Sequence, residues 1–355
     1  MSIIREANKK QGVCYAVTDD GIEVPVIDVT HPAFRVDMSA EDLDAATGKA
    51  LADLQMRAKT APAEQQRQLQ TAFEGSFLAP RIAAARGKVL DGMGTYYLKL
   101  GPDNLGKGYS GEIDRAIAGS LPCLSIRLRL RDVARLMADC LATLLAPPHG
   151  TRPEQPLHLL NIAGGAGMDS LNAVLLLRKE HAELLHPRRI VIHLLDSDAA
   201  GPAFCARATS ALQAANGPLQ GLTIEVRHEP YDWASPGRLS MLAVSLSSQG
   251  AVVAGSSEGG LFEYGSDEHI LSNLRAFGEA ADGASVMVGT VTRADGAARI
   301  FNDAGGAAIH PRGLQAFDAL IHAAGWRVTR STDSPLSHNV VLKKEQRGEE
   351  PGVQR

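Results

Sequence analysis

Hydrophobic and polar positions divide the chain into two halves of different rhythm. From residue 157 onward, short apolar runs alternate with amphipathic stretches. LHLLNIA (157–163) reads as a short buried strand, and RIVIHLLDSD (189–198), LTIEVRH (222–228), GAVVAGSS (250–257) and ASVMVGTVT (284–292) read as further strands. Helical patterns lie between several of them, including 199–215, DEHILSNLRAFGEAA (267–281) and PRGLQAFDALIHAAG (311–325). Strands alternating with helices predict a parallel sheet with crossover helices. The last two strands, WRVTRSTDS and HNVVLKK, are joined by a short turn and so pair antiparallel.

The first half reads differently. GVCYAVTDDGIEVPVIDV (12–29) predicts two short strands around an Asp19-Asp20-Gly21 turn. A helix follows, with Ser39 as N-cap, and a helical style continues over 62–86. Residues 121–146 predict another long helix, and the Pro-rich APPHGTRPEQP (146–156) a linker. Between them, residues 91–111 hold seven glycines and prolines together with Tyr96, Tyr97, Lys99 and Tyr109, which predicts a mobile loop with function-capable side chains. The expected organisation is a mainly helical domain with a short hairpin over 1–150, an α/β domain over 157–344, and a flexible tail over 345–355.

Composition narrows the function classes. The chain has 355 residues, 45% of them hydrophobic, enough for a large core. A net charge of −4 gives no basic footprint for nucleic acid. No apolar run is long enough to span a bilayer, and the N-terminus has no signal-peptide core. Four scattered cysteines read as free thiols. The expectation is a cytoplasmic protein acting on a small molecule, without nucleic acid or membrane. The eleven histidines show no metal-ligand spacing, so no metal is expected.

The candidate chemistry starts at the glycines of 164–167. A glycine-rich turn after a strand lets a ligand approach the backbone, and the next helix presents free N–H groups; packing alone can also require such a turn. Asp196 closes the second strand, 29 residues beyond Gly167, where an acid can accept bonds from ribose hydroxyls. Asp198 is a rival for that role. After the third strand, Asp232 suits an adenine amino group, and Trp233 or Tyr231 suits stacking.

Residues 157–344 resemble class I S-adenosylmethionine-dependent methyltransferases. Their first motif, acid-x-Gly-x-Gly-x-Gly, stands here as Asn161-Ile162-Ala163-Gly164-Gly165-Ala166-Gly167. Gly165 and Gly167 match, Asn161 replaces the acid, and Ala163 replaces the first glycine. Asp196 and Asp232 match the family's second and third motifs. The resemblance implies a doubly wound, mostly parallel seven-stranded α/β sheet, Rossmann-like, ending in an antiparallel hairpin. It implies S-adenosyl-L-methionine as cofactor, held by Asn161, Ala163, Gly165, Gly167, Asp196, Asp232, Trp233 and Ser256. It implies a small-molecule acceptor and leaves room for a homodimer. Two alternatives stay open: a nicotinamide dinucleotide oxidoreductase, since Gly165-x-Gly167-x-x-Ser170 is a GxGxxG motif with its third glycine changed, and a non-catalytic nucleotide-fold binding protein.

A sulfonium methyl is already electrophilic, so such a site aligns a nucleophile and excludes water. Oxygen or nitrogen acceptors can also need a base. Over the cofactor, SSEGGLFEYGSDEH (256–269) supplies Glu258 and Tyr264 as candidate catalytic groups and Glu263 as a substrate contact. The 91–111 loop adds Tyr97 as a catalytic candidate and Tyr96 and Lys99 as substrate contacts; each could instead pack on the core. Arg127, Arg129 and Arg131 alternate with leucines and read as a solvated face, with Arg131 kept as a possible anchor for a substrate carboxylate or phosphate. His228 and His310, near strand ends, are further candidate bases.

Overall fold

The computed structural model describes residues 9–59, 62–106, 111–146, 152–279, 285–306 and 308–345. Tyr109 and the tail beyond 345 lie outside them. The chain opens with the hairpin β1 (Tyr15–Val17) and β2 (Glu23–Pro25), paired antiparallel around the expected turn. Helix α1 (Ala40–Ala58) starts at Ser39, whose hydroxyl accepts from the Asp42 amide in a capping box. α2 (Pro62–Gly75), α3 (Ala79–Ala84), α4 (Gly92–Lys99), α5 (Glu112–Ala118) and α6 (Leu121–Leu145) follow.

The second half contains β3 (Leu157–Ile162), α7 (Met168–Glu180), α8 (Ala182–Leu185), β4 (Arg189–Asp196), α9 (Ala200–Gln213), β5 (Thr223–Pro230) and α10 (Gly237–Ser248). Next come β6 (Val252–Ser257), α11 (Leu261–Tyr264), α12 (Asp267–Gly278), β7 (Val286–Thr292), α13 (Gly296–Gly305), α14 (Gly313–His322), β8 (Trp326–Asp333) and β9 (Ser337–Lys344). The sheet order is β5-β4-β3-β6-β7-β9-β8. Pairing is parallel from β5 to β7, and β9 inserts antiparallel between β7 and β8. The doubly wound seven-stranded sheet with its terminal hairpin is the one expected.

Strands buried on both faces explain the continuous apolar runs. Along β3 and β4, Leu157, Leu159, Ile190, Ile192 and Leu194 feed one core, while Leu160, Ile162 and Leu195 feed the other. The first core also takes Val24 and Val26 from the N-terminal segment, Leu98 from α4, and Leu136 and Leu141 from α6. The expected boundary near residue 150 is therefore no boundary in packing: α6 is laid against α7 and the sheet, and the N-terminal half shares the core of the α/β half. The expected loop at 91–111 is corrected as well. Gly92–Lys99 is a helix, capped by Asp91 Oδ1 accepting from the Gly94 amide at 2.6 Å, and Tyr96, Tyr97, Leu98 and Lys99 are buried.

Candidate functional site at the carboxyl ends of β3, β4 and β6

After β3 the backbone turns through three left-handed positions, Ala163 (φ 56°), Gly165 (φ 50°) and Gly167 (φ 62°), before α7 begins. Ala163 thus stands where a glycine would cost least. A Cβ on Gly167 would lie 2.8 Å from the Leu194 side chain, so the turn is pressed onto β4. The second strand does end at Asp196: Oδ2 accepts from the Gly165 amide at 2.8 Å, and Oδ1 from the Asp198 amide at 2.9 Å. Burial raises the Asp196 carboxyl above the usual range, against the pull of those two amides. Asp198, the rival, lies just before α9 and holds the turn into it, its Oδ1 accepting from the Ala200 amide at 3.2 Å.

Asn161 is fully buried in β3, in register with Ser256 of β6. Its Nδ2 donates to Asp169 Oδ1 at 2.6 Å and to Ser170 Oγ at 3.1 Å. Asn161 Oδ1 and Asp169 Oδ2 are buried acceptors without a hydrogen-bond partner. Burial, and then the charge of Glu258, push the Asp169 carboxyl up. Asp169 was not singled out from the sequence; its place in the first turn after a glycine loop was the available signal. The Tyr231 amide donates to the Asp196 carbonyl, which brings the exposed Asp232 and the half-buried Trp233 beside the end of β4.

The glycine turn has a polypeptide cover. A Cβ on Gly92, at the start of α4, would lie 2.6 Å from Gly165 Cα, and one on Gly201 would lie 2.5 Å from the Gly165 carbonyl carbon. The Gly165 backbone is therefore held between the first residues of α4 and α9, and only glycine fits at either contact.

Beyond the end of β6 lies a buried ionic cluster. Glu258 pairs with Lys99 through Oε2 and with Arg129 Nε through Oε1 at 2.5 Å; Arg129 Nη1 reaches Glu263 at 2.9 Å. All four side chains are 10% exposed or less. Burial pushes the Glu258 carboxyl up, but Lys99 and Arg129 outweigh it and hold it below the usual carboxylate range. Burial opposes the Arg129 charge, and Glu263 and Glu258 outweigh that too, so its guanidinium is held above its ordinary value. Tyr264 is pushed up to about 12, by burial and then by Glu263. Two cations and two anions leave the cluster near neutral, and neither Glu258 nor Tyr264 is a ready proton acceptor at pH 7.

Several expectations are corrected here. Arg129 belongs to no solvated face; it is the centre of this cluster. Lys99 meets Glu258 rather than open solvent. Tyr96 donates to the Pro25 carbonyl at 2.5 Å and packs on Phe204, while Tyr97 stands edge-on to Phe77 at 4.9 Å, with Thr18 and Asp20 in its surroundings. Both tyrosines anchor α4 to the N-terminal hairpin rather than face Glu258. Arg131 is bonded to Asp132 and to the Val36 carbonyl. His228 Nε2 lies against the Asp196 carbonyl at 2.9 Å, and the backbone amide of the exposed His310 donates to the Glu263 carbonyl.

Among the described residues no group of three or more potential ligands could hold a metal ion, and no helix is long and apolar enough to cross a membrane. No family model matches the chain, and no curated protein matches it. Solved structures do. A possible exported protein from Bordetella parapertussis is 17% identical, covering 87% of this chain and 98% of its own, with a TM-score of 0.53. LepI in complex with SAM is 14% identical over 86% of this chain and 94% of its own (TM-score 0.44), and the mitomycin 7-O-methyltransferase MmcR is 14% identical over 61% and 54% (TM-score 0.38). The likeness to the Bordetella protein shows the fold, which the strand order and the inserted antiparallel β9 describe as a doubly wound, Rossmann-like seven-stranded α/β sheet.

Proposed function

We propose that the protein is an S-adenosylmethionine-dependent methyltransferase acting on a small molecule. The observation that carries this reading is Asp196 closing β4 against the Gly165 amide, at the switch point where β4 and β6 flank β3. The residues present fit the donor. Asp196 keeps lone pairs for ribose hydroxyls, the unpartnered Asn161 Oδ1 and Asp169 Oδ2 suit an ammonium group, and Asp232 and Trp233 stand where an adenine would be met. The donor supplies an electrophilic methyl group. Because the start of α4 rests on Gly165, donor entry requires that start to shift.

With Glu258 held below the carboxylate range and tied to Lys99 and Arg129, the chain offers no free base at the cluster. The acceptor fitting this is one that is nucleophilic without proton removal, or one that arrives ionised. The same commitment of Glu258 favours a second reading, a binding protein that keeps the fold without transfer. Four free cysteines suit a reducing, cytoplasmic compartment.

Calorimetric titration with S-adenosylhomocysteine and with NAD tests the donor, and a metabolite pool incubated with labelled methyl donor tests transfer. S-adenosylhomocysteine is expected to bind and NAD not. Tight NAD binding without any response to S-adenosylhomocysteine would sink the reading. Donor binding with no label transferred would leave the binding protein.

A further inference from the structure

A second site lies one side chain away from the ionic cluster. Lys99, whose ammonium pairs with Glu258, also lines a cavity of about 20 Å³ between the N-terminal segment, the end of α4 and α6. The cavity walls include Ile27, Val29, Phe34, Leu100 and Leu130, all apolar, together with Arg127 and Arg131. Three cations on an apolar cavity need anions. Lys99 has Glu258, and Arg131 has Asp132 and the Val36 carbonyl. Arg127 has none among the described residues: no carboxylate pairs with it, and its Nε is buried without an acceptor. Asp103, whose charge acts on Arg127, makes no ion pair with it and is paired instead with Arg115 at 3.4 Å.

The chain is built to hold this guanidinium in place. Gly101, just past the end of α4, has φ +76°, and a Cβ there would lie 2.5 Å from Arg127 Nη1. The bare backbone at 101 is what lets the guanidinium lie against the cavity. Arg127 is half-buried, and its buried Nε without an acceptor is a cost that folding alone does not explain. Burial also depresses its charge affinity, the direction expected of a cation still waiting for its anion.

We infer that this cavity binds the carboxylate end of an apolar organic anion, with Arg127 as the counter-ion. One uncompensated positive charge matches a carboxylate monoanion; a phosphate dianion would leave one negative charge buried and unpaired. The guanidinium fork fits two carboxylate oxygens. The enclosed volume admits one or two water-sized groups, the size of a carboxylate, so the cavity takes the carboxylate and the apolar body of the ligand extends out of it. That this anion is the methyl acceptor rests on the function proposed above; the anion site itself does not.

The test uses the intact protein and calorimetry with benzoate, its neutral isostere benzamide, inorganic phosphate and, separately, S-adenosylhomocysteine. Benzoate is expected to bind, benzamide at least tenfold more weakly, and Arg127→Met to weaken benzoate at least tenfold without lowering Tm. Val29→Phe, which fills the cavity and keeps Arg127, is expected to weaken benzoate as well, and covers the case in which Arg127→Met does not fold. Unchanged benzoate affinity in either variant, no benzoate binding to the wild-type protein, or phosphate binding more tightly than benzoate would overturn the inference. S-adenosylhomocysteine binding without benzoate binding removes this site and leaves the donor reading standing; benzoate binding without S-adenosylhomocysteine does the reverse.

Discussion

At the residue scale, two aspartates two positions apart do different work. Asp196 joins the glycine turn to the end of β4, while Asp198 holds the turn into α9 through the Ala200 amide. Asp196→Ala is expected to weaken S-adenosylhomocysteine binding by about 1–3 kcal/mol, roughly fivefold to 150-fold, because donor hydroxyls and the Gly165 amide both lose an acceptor. Asp198→Ala is expected to cost about 1 kcal/mol of stability, as for one lost side-chain hydrogen bond to the Ala200 amide, and to change donor affinity little. Titration and thermal melts of both variants check this; the reverse ranking would move the ribose contact to Asp198. Asp196 was legible because an acid at the end of an apolar run is a local signal. Arg129 was not. Steps of about 100° per residue put 129 roughly 200° from 127, on the far side of the helix from the 127/131 pair. The alternation of arginine and leucine concealed that one arginine turns inward. Its partners, Glu258 and Glu263, lie more than 120 residues away, and no local pattern announces such a pairing.

At the scale of elements, α4 shows tertiary packing overriding propensity. Gly92 and Gly94 argue for a loop, and glycine in a helix costs about 1 kcal/mol. Here the first glycine is what lets the helix start touch Gly165, and the helix is secured by the Asp91 cap and by its buried aromatic face. α10 and α13 were also absent from the sequence reading. α10 begins at a glycine after Pro236 with no side-chain cap, and Asp295, the N-cap residue of α13, turns its carboxylate to Arg293 instead of the helix amides. α1, with its Ser39 capping box, carried a start signal and was read correctly. If the start of α4 must leave Gly165 to admit a donor, a side chain at 92 penalises the closed form more than the open one. Gly92→Val is expected to lower stability by about 1–3 kcal/mol, as overpacking does. It is also expected to raise apparent affinity for S-adenosylhomocysteine several-fold, since less free energy is then spent on opening. Denaturant unfolding and calorimetry measure the two. Weaker donor binding in Gly92→Val would mean that the Gly92–Gly165 contact belongs to the donor-bound form.

At the scale of the whole molecule, the sheet was legible and the union of the two halves was not. The strands β3 to β7 and β9 were visible as apolar runs or alternations, β8 (WRVTRSTD) was read despite its mostly polar and exposed residues, and the short final turn foretold the antiparallel pair. The proline-rich stretch at 146–156 suggested separate domains, yet Val24, Leu98, Leu136 and Leu141 lie in one core with Leu159 and Leu194; composition shows a connection, not what packs across it. The shared sheet also carries a titrating pair that bears on the stability of the entire chain. His158 on β3 and His193 on β4 are buried side by side, with Nδ1 and Nε2 2.9 Å apart. Burial, and then the neighbouring His193, bring His158 down to about 4, and burial lowers His193 too. Glu229 Oε1, at 3.6 Å from His193 Nδ1, is too distant for a good hydrogen bond. With the folded value depressed from 6.5, the unfolded chain binds more protons between pH 6.5 and 4. Stability therefore falls as pH drops through that window and levels off below it, by about 3 kcal/mol for His158 alone. Asp169 and Asp196, raised by burial, work in the opposite sense, losing stability as pH rises through their titration. The histidine contribution is isolated by comparing the wild-type protein with a His158→Leu/His193→Leu double variant across pH 4 to 7. The stability difference between the two is expected to shift in favour of the variant as pH falls, and a difference independent of pH would show that the pair is not held neutral by its burial.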